Sequence, residues 1–306
     1  SKEKCLFING LVSQNINLIK QVPKSDLHAH ATRSGKKEYF ERKYDTAIET
    51  PKSFETIEEM NVWYDKNIKI LFSNDIISFR ERLKSAFIAA TDDNIKKLCL
   101  SFGIGNIKIF NGNIDEYINE IKKIQQEFYN GEFIPELCLV RGNINRKIVL
   151  EILDKKYFKS LDLVGNEELG VDDAVEIYNY YKKYDMIRRC HVGEFSNEKY
   201  VIDAIMKLEL NEIQHGISAI QSDKILNLIK KKKIKINLCP QTNLVFGRIN
   251  NLYEPLRRLI DSEIKVSINT DDLLIFDKTI SNIYIDLYNT QKFSVEELNN
   301  IRVYNL

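Results

Sequence analysis

From about residue 100 onward, the apolar positions of the chain follow two alternating patterns. Short apolar runs occupy residues 102–110, 133–140, 161–164, 186–191, 212–215, 234–238 and 264–268, and one more lies near the start at 27–30. Between them run longer segments, 114–129, 146–157, 172–184, 199–208 and 223–232, whose apolar residues recur every three or four positions. That spacing suits a helix with one face packed on a sheet. Strand–helix alternation implies a parallel sheet. Eight such units predict an α/β protein built as a closed (β/α)8 TIM-type barrel, although a doubly wound open sheet satisfies the same alternation.

Residues 31–100 break the pattern. They are polar, with aromatic Tyr39, Phe40, Phe54, Trp63, Tyr64, Phe72 and Phe79 interspersed. This stretch reads as a helical insertion after the first strand. It would sit at the C-terminal mouth of a barrel, where lids are built, with its aromatic residues anchoring the helices. The whole chain, 1–306, is expected to form a single domain, since α/β barrels routinely use this much chain as one unit.

Composition narrows the function. With 43% hydrophobic and 29% charged residues, the chain has an ordinary globular makeup. Lys+Arg 45 against Asp+Glu 44 leaves no basic field that would point to nucleic acid. Residues 1–14 lack a signal-peptide pattern, and no run of 18 apolar residues offers a membrane span, so a cytoplasmic protein without a membrane partner is expected. Five scattered cysteines, never spaced as CxxC, read as reduced thiols rather than a thiolate metal site. Neither the Lys230 to Lys233 run, expected at a solvated helix end, nor any other segment suggests a repeat or linker.

Histidine usage carries the chemistry. The only four, His28, His30, His191 and His215, each fall at the end of a short apolar run. In a strand, residues i and i+2 share a face, so His28 and His30 can hold one metal ion or can be ordinary core histidines. In His191-Val192-Gly193-Glu194 an imidazole leaves the strand and a carboxylate follows a flexible glycine, a geometry fit for proton transfer. His215-Gly216 ends the sixth run. Asn269-Thr270-Asp271-Asp272 follows the eighth, and both carboxylates can share a site only once the strand has ended. In a barrel, functional groups come from the C-terminal ends of different strands, where all these residues fall. Three histidines and one aspartate suit zinc.

Taken together, these segments resemble the adenosine deaminase family. Residues 23–30, Pro-Lys-Ser-Asp-Leu-His-Ala-His, resemble its opening PKxELHxH segment; Asp162-Leu163-Val164-Gly165-Asn166-Glu167 resembles DLxGxE. His191 to Glu194 resembles HAGE, and His215-Gly216 resembles GHG. Cys239-Pro240-Gln241-Thr242-Asn243 resembles CPxSN, and Asn269 to Asp272 resembles NTDDP with Leu273 in place of the proline. The resemblance implies zinc-dependent removal of the 6-amino group of adenosine or a related adenine nucleoside, giving an inosine-type product and ammonia. One Zn2+ per chain would lie on His28, His30, His191 and Asp271. His215 would orient and deprotonate the attacking water, and Glu194 would protonate N1 of the purine. Gly165 would offer its N–H to N3, and Asp272, kept protonated, would donate to N7. Thr32 and Arg33, with His30, would border the substrate.

Some positions depart from the family. Ala31-Thr32-Arg33 stands where members have Leu-Asp-Gly, whose Asp contacts the ribose 5′ end. Arg33 can bind a 5′-phosphate or face solvent, so AMP or an N6-substituted adenylate is the alternative substrate. A purine-binding homologue without turnover is a further alternative, as is a metallohydrolase acting on amide or phosphoester bonds. The chain ends at Leu306, sooner after the last strand than family members usually do. The oligomeric state is not encoded in these patterns.

Overall fold

In the computed structural model, which describes residues 1–306, eight parallel strands form one sheet in sequence order. They are β1 Lys24–His30, β2 Ile95–Gly103, β3 Glu132–Val140, β4 Ser160–Val164, β5 Ile187–Val192, β6 Glu212–His215, β7 Lys235–Leu238 and β8 Val266–Ile268. Helices such as Ile114–Phe128, Arg146–Asp154, Val175–Lys182, Glu198–Leu208 and Asp223–Lys231 return the chain between strands. Each of these five lies inside a segment of helical periodicity or within one residue of it. The sheet closes on itself: Asp271 N–H donates to the His28 carbonyl at 3.0 Å, and His30 N–H donates to the Asp271 carbonyl at 3.0 Å. Leu27 N–H adds a bond to Asn269 Oδ1 at 2.8 Å. The fold is therefore a (β/α)8 barrel, and the open-sheet alternative is excluded.

One predicted strand is displaced. Residues 102–110 read as the second strand, but β2 is Ile95–Gly103 and the chain then coils into a 3-10 helix, Ile104–Phe110. The ladder explains this. β1 offers no partner beyond His30, which pairs with Ser101. Past that point a period of three buries Ile107 and Phe110, as a 3-10 helix does. Phe110 then packs edge-on against Phe79, with ring centroids 5.6 Å apart. Residues 95–100 thus belong to the barrel, and the helical segment after β1 closes near Asp93.

That segment carries helices Lys37–Tyr44, Ile57–Asn67 and Ile76–Asp92. Thr56 and Asp75 cap the last two, accepting from the backbone N–H of Glu59 at 3.1 Å and of Ser78 at 2.8 Å. Its apolar residues Phe40, Phe54, Met60 and Tyr64 form a small core with Phe246, Leu274, Ile275 and Phe276, which follow β7 and β8. The segment is thereby tied over the C-terminal mouth. Phe79 instead joins the main barrel core. No helix is long and apolar enough to cross a membrane.

Within the barrel, below the mouth, the interior is polar. Arg189, 1% exposed, pairs with Glu136 at 2.8 Å and Glu212 at 3.1 Å and donates to the Leu27 carbonyl at 2.9 Å. Breaking a buried pair leaves an uncompensated charge, at a cost of about 3–5 kcal/mol. Arg189→Ala should lower the stability read from urea unfolding by about that amount. Lys182→Ala, which breaks the exposed pair with Glu209, should leave the midpoint unmoved.

Candidate active site at the barrel mouth

β1 ends with alternating side chains, so the His28 and His30 rings point the same way, 5.1 Å apart. β5 brings His191 to 4.8 Å from His28, and β6 brings His215 to 5.1 Å from His191. β8 ends at Ile268, three residues before Asp271, which adopts a left-handed backbone with φ +62°. Its carboxylate Oδ1 then reaches His30 Nε2 at 3.1 Å and His28 Nε2 at 3.3 Å. All four histidines and Asp271 thus converge, as the strand-end reading expects. The backbone turn also settles how adjacent Asp271 and Asp272 share one site: both lie beyond the strand.

The donor set fits a divalent cation. Nitrogens of His28, His30 and His191 lie within 4.8 Å of one another. His28 is fully buried, yet neither ring nitrogen makes a hydrogen bond, a costly state for a polar group unless something else satisfies it. Its close approach to Asp271 Oδ1 is the geometry of two ligands aimed at a common third point. Borderline nitrogen donors with one carboxylate match zinc-type chemistry better than calcium or magnesium. Cys239 lies beside His28, His215 and Asp271, but burial keeps it a thiol and so a poor ligand.

Burial and neighbouring charge push these groups apart. Burial, reinforced by the charges of other histidines, holds the His28 imidazole down at about 4 and keeps it neutral. Burial opposes protonation of His30 too, but Asp272 and Asp271 outweigh it and raise that group to about 9. Burial and then the charge of Asp271 raise Asp272 to about 6. Its Oδ1 is buried without a partner. Burial also raises the Glu194 carboxyl against the pull of His215. His215 Nε2 lies 2.8 Å from Glu194 Oε2, and this contact lifts the imidazole to about 9 despite its burial. At that distance one proton suffices to join the two groups.

A cavity of about 380 Å3 opens over this cluster, with His30, Gly165, His191, Glu194, His215, Asp271 and Asp272 in its wall. Thr32 and Arg33 also line it. His28 lies beneath, without exposure. Gly165 has φ +99°, and a Cβ there would meet Val140 at 3.3 Å, so glycine suits the turn.

The supporting residues were not assigned roles by the sequence. Asp162 Oδ2 lies 2.8 Å from His191 Nδ1, from the adjacent strand β4. Glu167 accepts from Gly193 N–H at 2.6 Å, Phe195 N–H at 2.7 Å and the Ser196 hydroxyl at 2.6 Å, and so clamps the loop that carries Glu194. Arg248 Nε donates to the Glu194 carbonyl at 2.6 Å. Asn243 Nδ2 lies 3.1 Å from His215 Nδ1. The signal for Asp162 was available: a carboxylate inside a short apolar strand needs a partner.

A family model described as adenosine deaminase matches residues 143–305, more than half of the chain. The chain belongs to the adenosine deaminase family. It is a hydrolytic deaminase of that family, and low identities mark it as divergent. A Treponema pallidum (strain Nichols) protein whose name joins adenosine and adenine deaminase is 25% identical over 285 residues, covering 90% of this chain and 94% of that one. Adenosine deaminase of Plasmodium gallinaceum is 32% identical over 197 residues, covering 62% of this chain and 54% of that enzyme. The apo N6-methyl-AMP deaminase of Arabidopsis thaliana shares the fold at TM-score 0.76 and 17% identity, covering 94% and 92% of the two chains.

If Asp162 orients His191, Asp162→Asn should weaken binding of a divalent cation by about 10- to 100-fold. Chelator competition reads this, with far-UV circular dichroism unchanged. An unchanged affinity would show that the contact does not orient the ring.

Proposed function

We propose that the chain is a zinc-dependent deaminase of the 6-amino group of adenine carried on a ribose, releasing ammonia. One observation carries this reading: His28, His30, His191 and Asp271 meet at the floor of a cavity whose wall holds the Glu194–His215 pair and Asp272. A cation held by those four residues would supply a nucleophile by lowering the pKa of a bound water to roughly 7. Retention of the whole set argues against a purine-binding homologue without turnover. Two carboxyl groups poised to donate protons argue against an amidase or phosphoesterase. The chain is read as one domain, with residues 31–94 as the lid over the mouth.

The residues divide the work as follows. His215 accepts the proton that the attacking water gives up as the C6–O bond forms. To accept on Nε2 it must carry its other proton on Nδ1, and the Asn243 amide, turned so that Oδ1 faces the ring, would accept from it. Glu194, whose carboxyl burial raises, would give a proton to N1 and so make C6 electrophilic. Gly165 N–H, which has no acceptor within the chain, would donate to N3. N7 is an acceptor, so Asp272 must be protonated to bond it, which its raised pKa favours. His215 then returns its proton to the departing amine, the C6–N bond breaks, and the C6 hydroxyl proton resets Glu194.

The test is ammonia release from adenosine by zinc-loaded protein. Glu194→Gln should lower kcat by about 10²- to 10⁴-fold with bound zinc retained. Full activity in that variant would remove Glu194 from the proton path, and no ammonia from any adenine nucleoside or nucleotide would sink the reading. Asp272 and Glu194 act while protonated and His215 acts while neutral, so kcat/KM should fall on the alkaline side as the two acids ionise and on the acid side as the Glu194–His215 pair takes up a second proton.

A further inference from the structure

The catalytic cavity does not stand alone. Thr32 and Arg33 form part of its wall and also line a second cavity of about 400 Å3, enclosed by the 31–94 segment. Tyr64, Phe72 and Arg82 complete much of that second space, with Lys69 at its edge. The Arg33 guanidinium lies over the Tyr64 ring, 4.1 Å from its centroid, and Arg82 lies 5.2 Å from the Phe72 centroid. Aromatic faces fix the direction of both cations. Lys69 is paired with Asp65 at 3.8 Å, whereas no carboxylate pairs with either arginine. Arg33 donates no hydrogen bond within the chain, and Arg82 donates through Nε to the Ser78 carbonyl at 3.3 Å and lies beside the Tyr64 hydroxyl, so neither cation meets an anionic acceptor.

The one carboxylate that lines this cavity, Asp65, is taken up by Lys69, so two half-buried guanidinium groups share the space with no carboxylate paired to either, and they repel each other in a medium that screens poorly. Burial and the charge of Arg33 both disfavour the cation on Arg82. An anion between them would remove that cost. Planar guanidinium groups match phosphate oxygens bidentately and bind them more strongly than neutral donors do. Arg33 lies three residues after His30, so the wall that it shares leads from the imidazole cluster into this second space.

We infer that the second cavity receives the 5′-phosphate of an adenine nucleotide, held by Arg33 and Arg82, so that a nucleoside monophosphate is preferred over the free nucleoside. This rests on the deaminase reading above and specifies its substrate class. Thr32, on the shared wall, sits where the ribose would cross from one cavity to the other.

The experiment compares kcat/KM for AMP and adenosine with zinc-loaded wild type, Arg33→Ala, Arg82→Ala and Arg82→Lys. Wild type should favour AMP, and each alanine should lower the AMP-to-adenosine ratio by about 10- to 100-fold, the range for losing a hydrogen bond to a charged group. Arg82→Lys should recover part of the ratio, which separates lost charge from damaged folding. A wild-type ratio at or below one, or a ratio that neither alanine changes, overturns the phosphate site while leaving deamination of adenosine intact. Should wild type release no ammonia from these or any other adenine nucleoside or nucleotide, the deaminase reading falls. Calorimetric titration with AMP and adenosine then decides the phosphate site alone: tighter AMP binding that both alanines abolish supports it, and equal binding overturns it.

Discussion

The closure of the sheet between β1 and the turn after β8 is the constraint on which the site depends. Two backbone hydrogen bonds tie Asp271 to His28 and His30, residues more than 240 positions away in sequence. Because those bonds set the position of the main chain, the carboxylate and two imidazoles meet without any side chain searching for its partner. The cost appears as backbone strain. Asp271 at φ +62° and His215 at φ +68° both occupy the left-handed region that non-glycine residues avoid. Both strained residues touch the cluster, which places the strain where the chemistry needs side chains aimed off the strand direction.

Burial then assigns states that the residue types alone leave open. Among chemically identical imidazoles, burial outweighs the contact with Asp271 and holds His28 near 4, while at His30 the two aspartates together outweigh burial and raise it to about 9. Asp271 and Asp272 are neighbours, yet His28 and His30 overcome the burial of the first and hold it well below the usual carboxylate range, while the second is lifted to about 6. Pairs of groups pushed apart in this way are how one site runs both acid and base steps. Glu167, Asp162, Asn243 and Arg248 keep these groups in place without touching the cavity's centre, except where Glu167 reaches its wall.

Family likeness and local divergence occupy different parts of the chain. The family match begins at residue 143, yet β1 supplies His28 and His30 from outside it and completes the same cluster. The segment from Ala31 to Asp93 is where this chain builds its own wall. On the proposed function, the polar groups at the barrel mouth would carry the reaction and the wall would select what is attached to the adenine. That separation is characteristic of barrels, whose strand ends are rigid and whose loops vary freely.

Strand–helix alternation, the count of eight units and the placement of every histidine at a strand end were legible in the sequence, because periodicity reports directly which side chains must be buried. The residues that meet at the mouth were legible for the same reason, together with their order along the chain. The true position of β2 was not, since residues 104–110 carry apolar side chains that suit a strand and a 3-10 helix alike until a neighbouring strand is present or absent. Nor could the sequence place Arg33 against Tyr64, pair Asp162 with His191, or show that two arginines share a cavity with no carboxylate paired to either. Those facts depend on which distant segments come together, and local pattern carries no record of that. Only closure of the barrel and the packing of residues 31–94 across its mouth decide them.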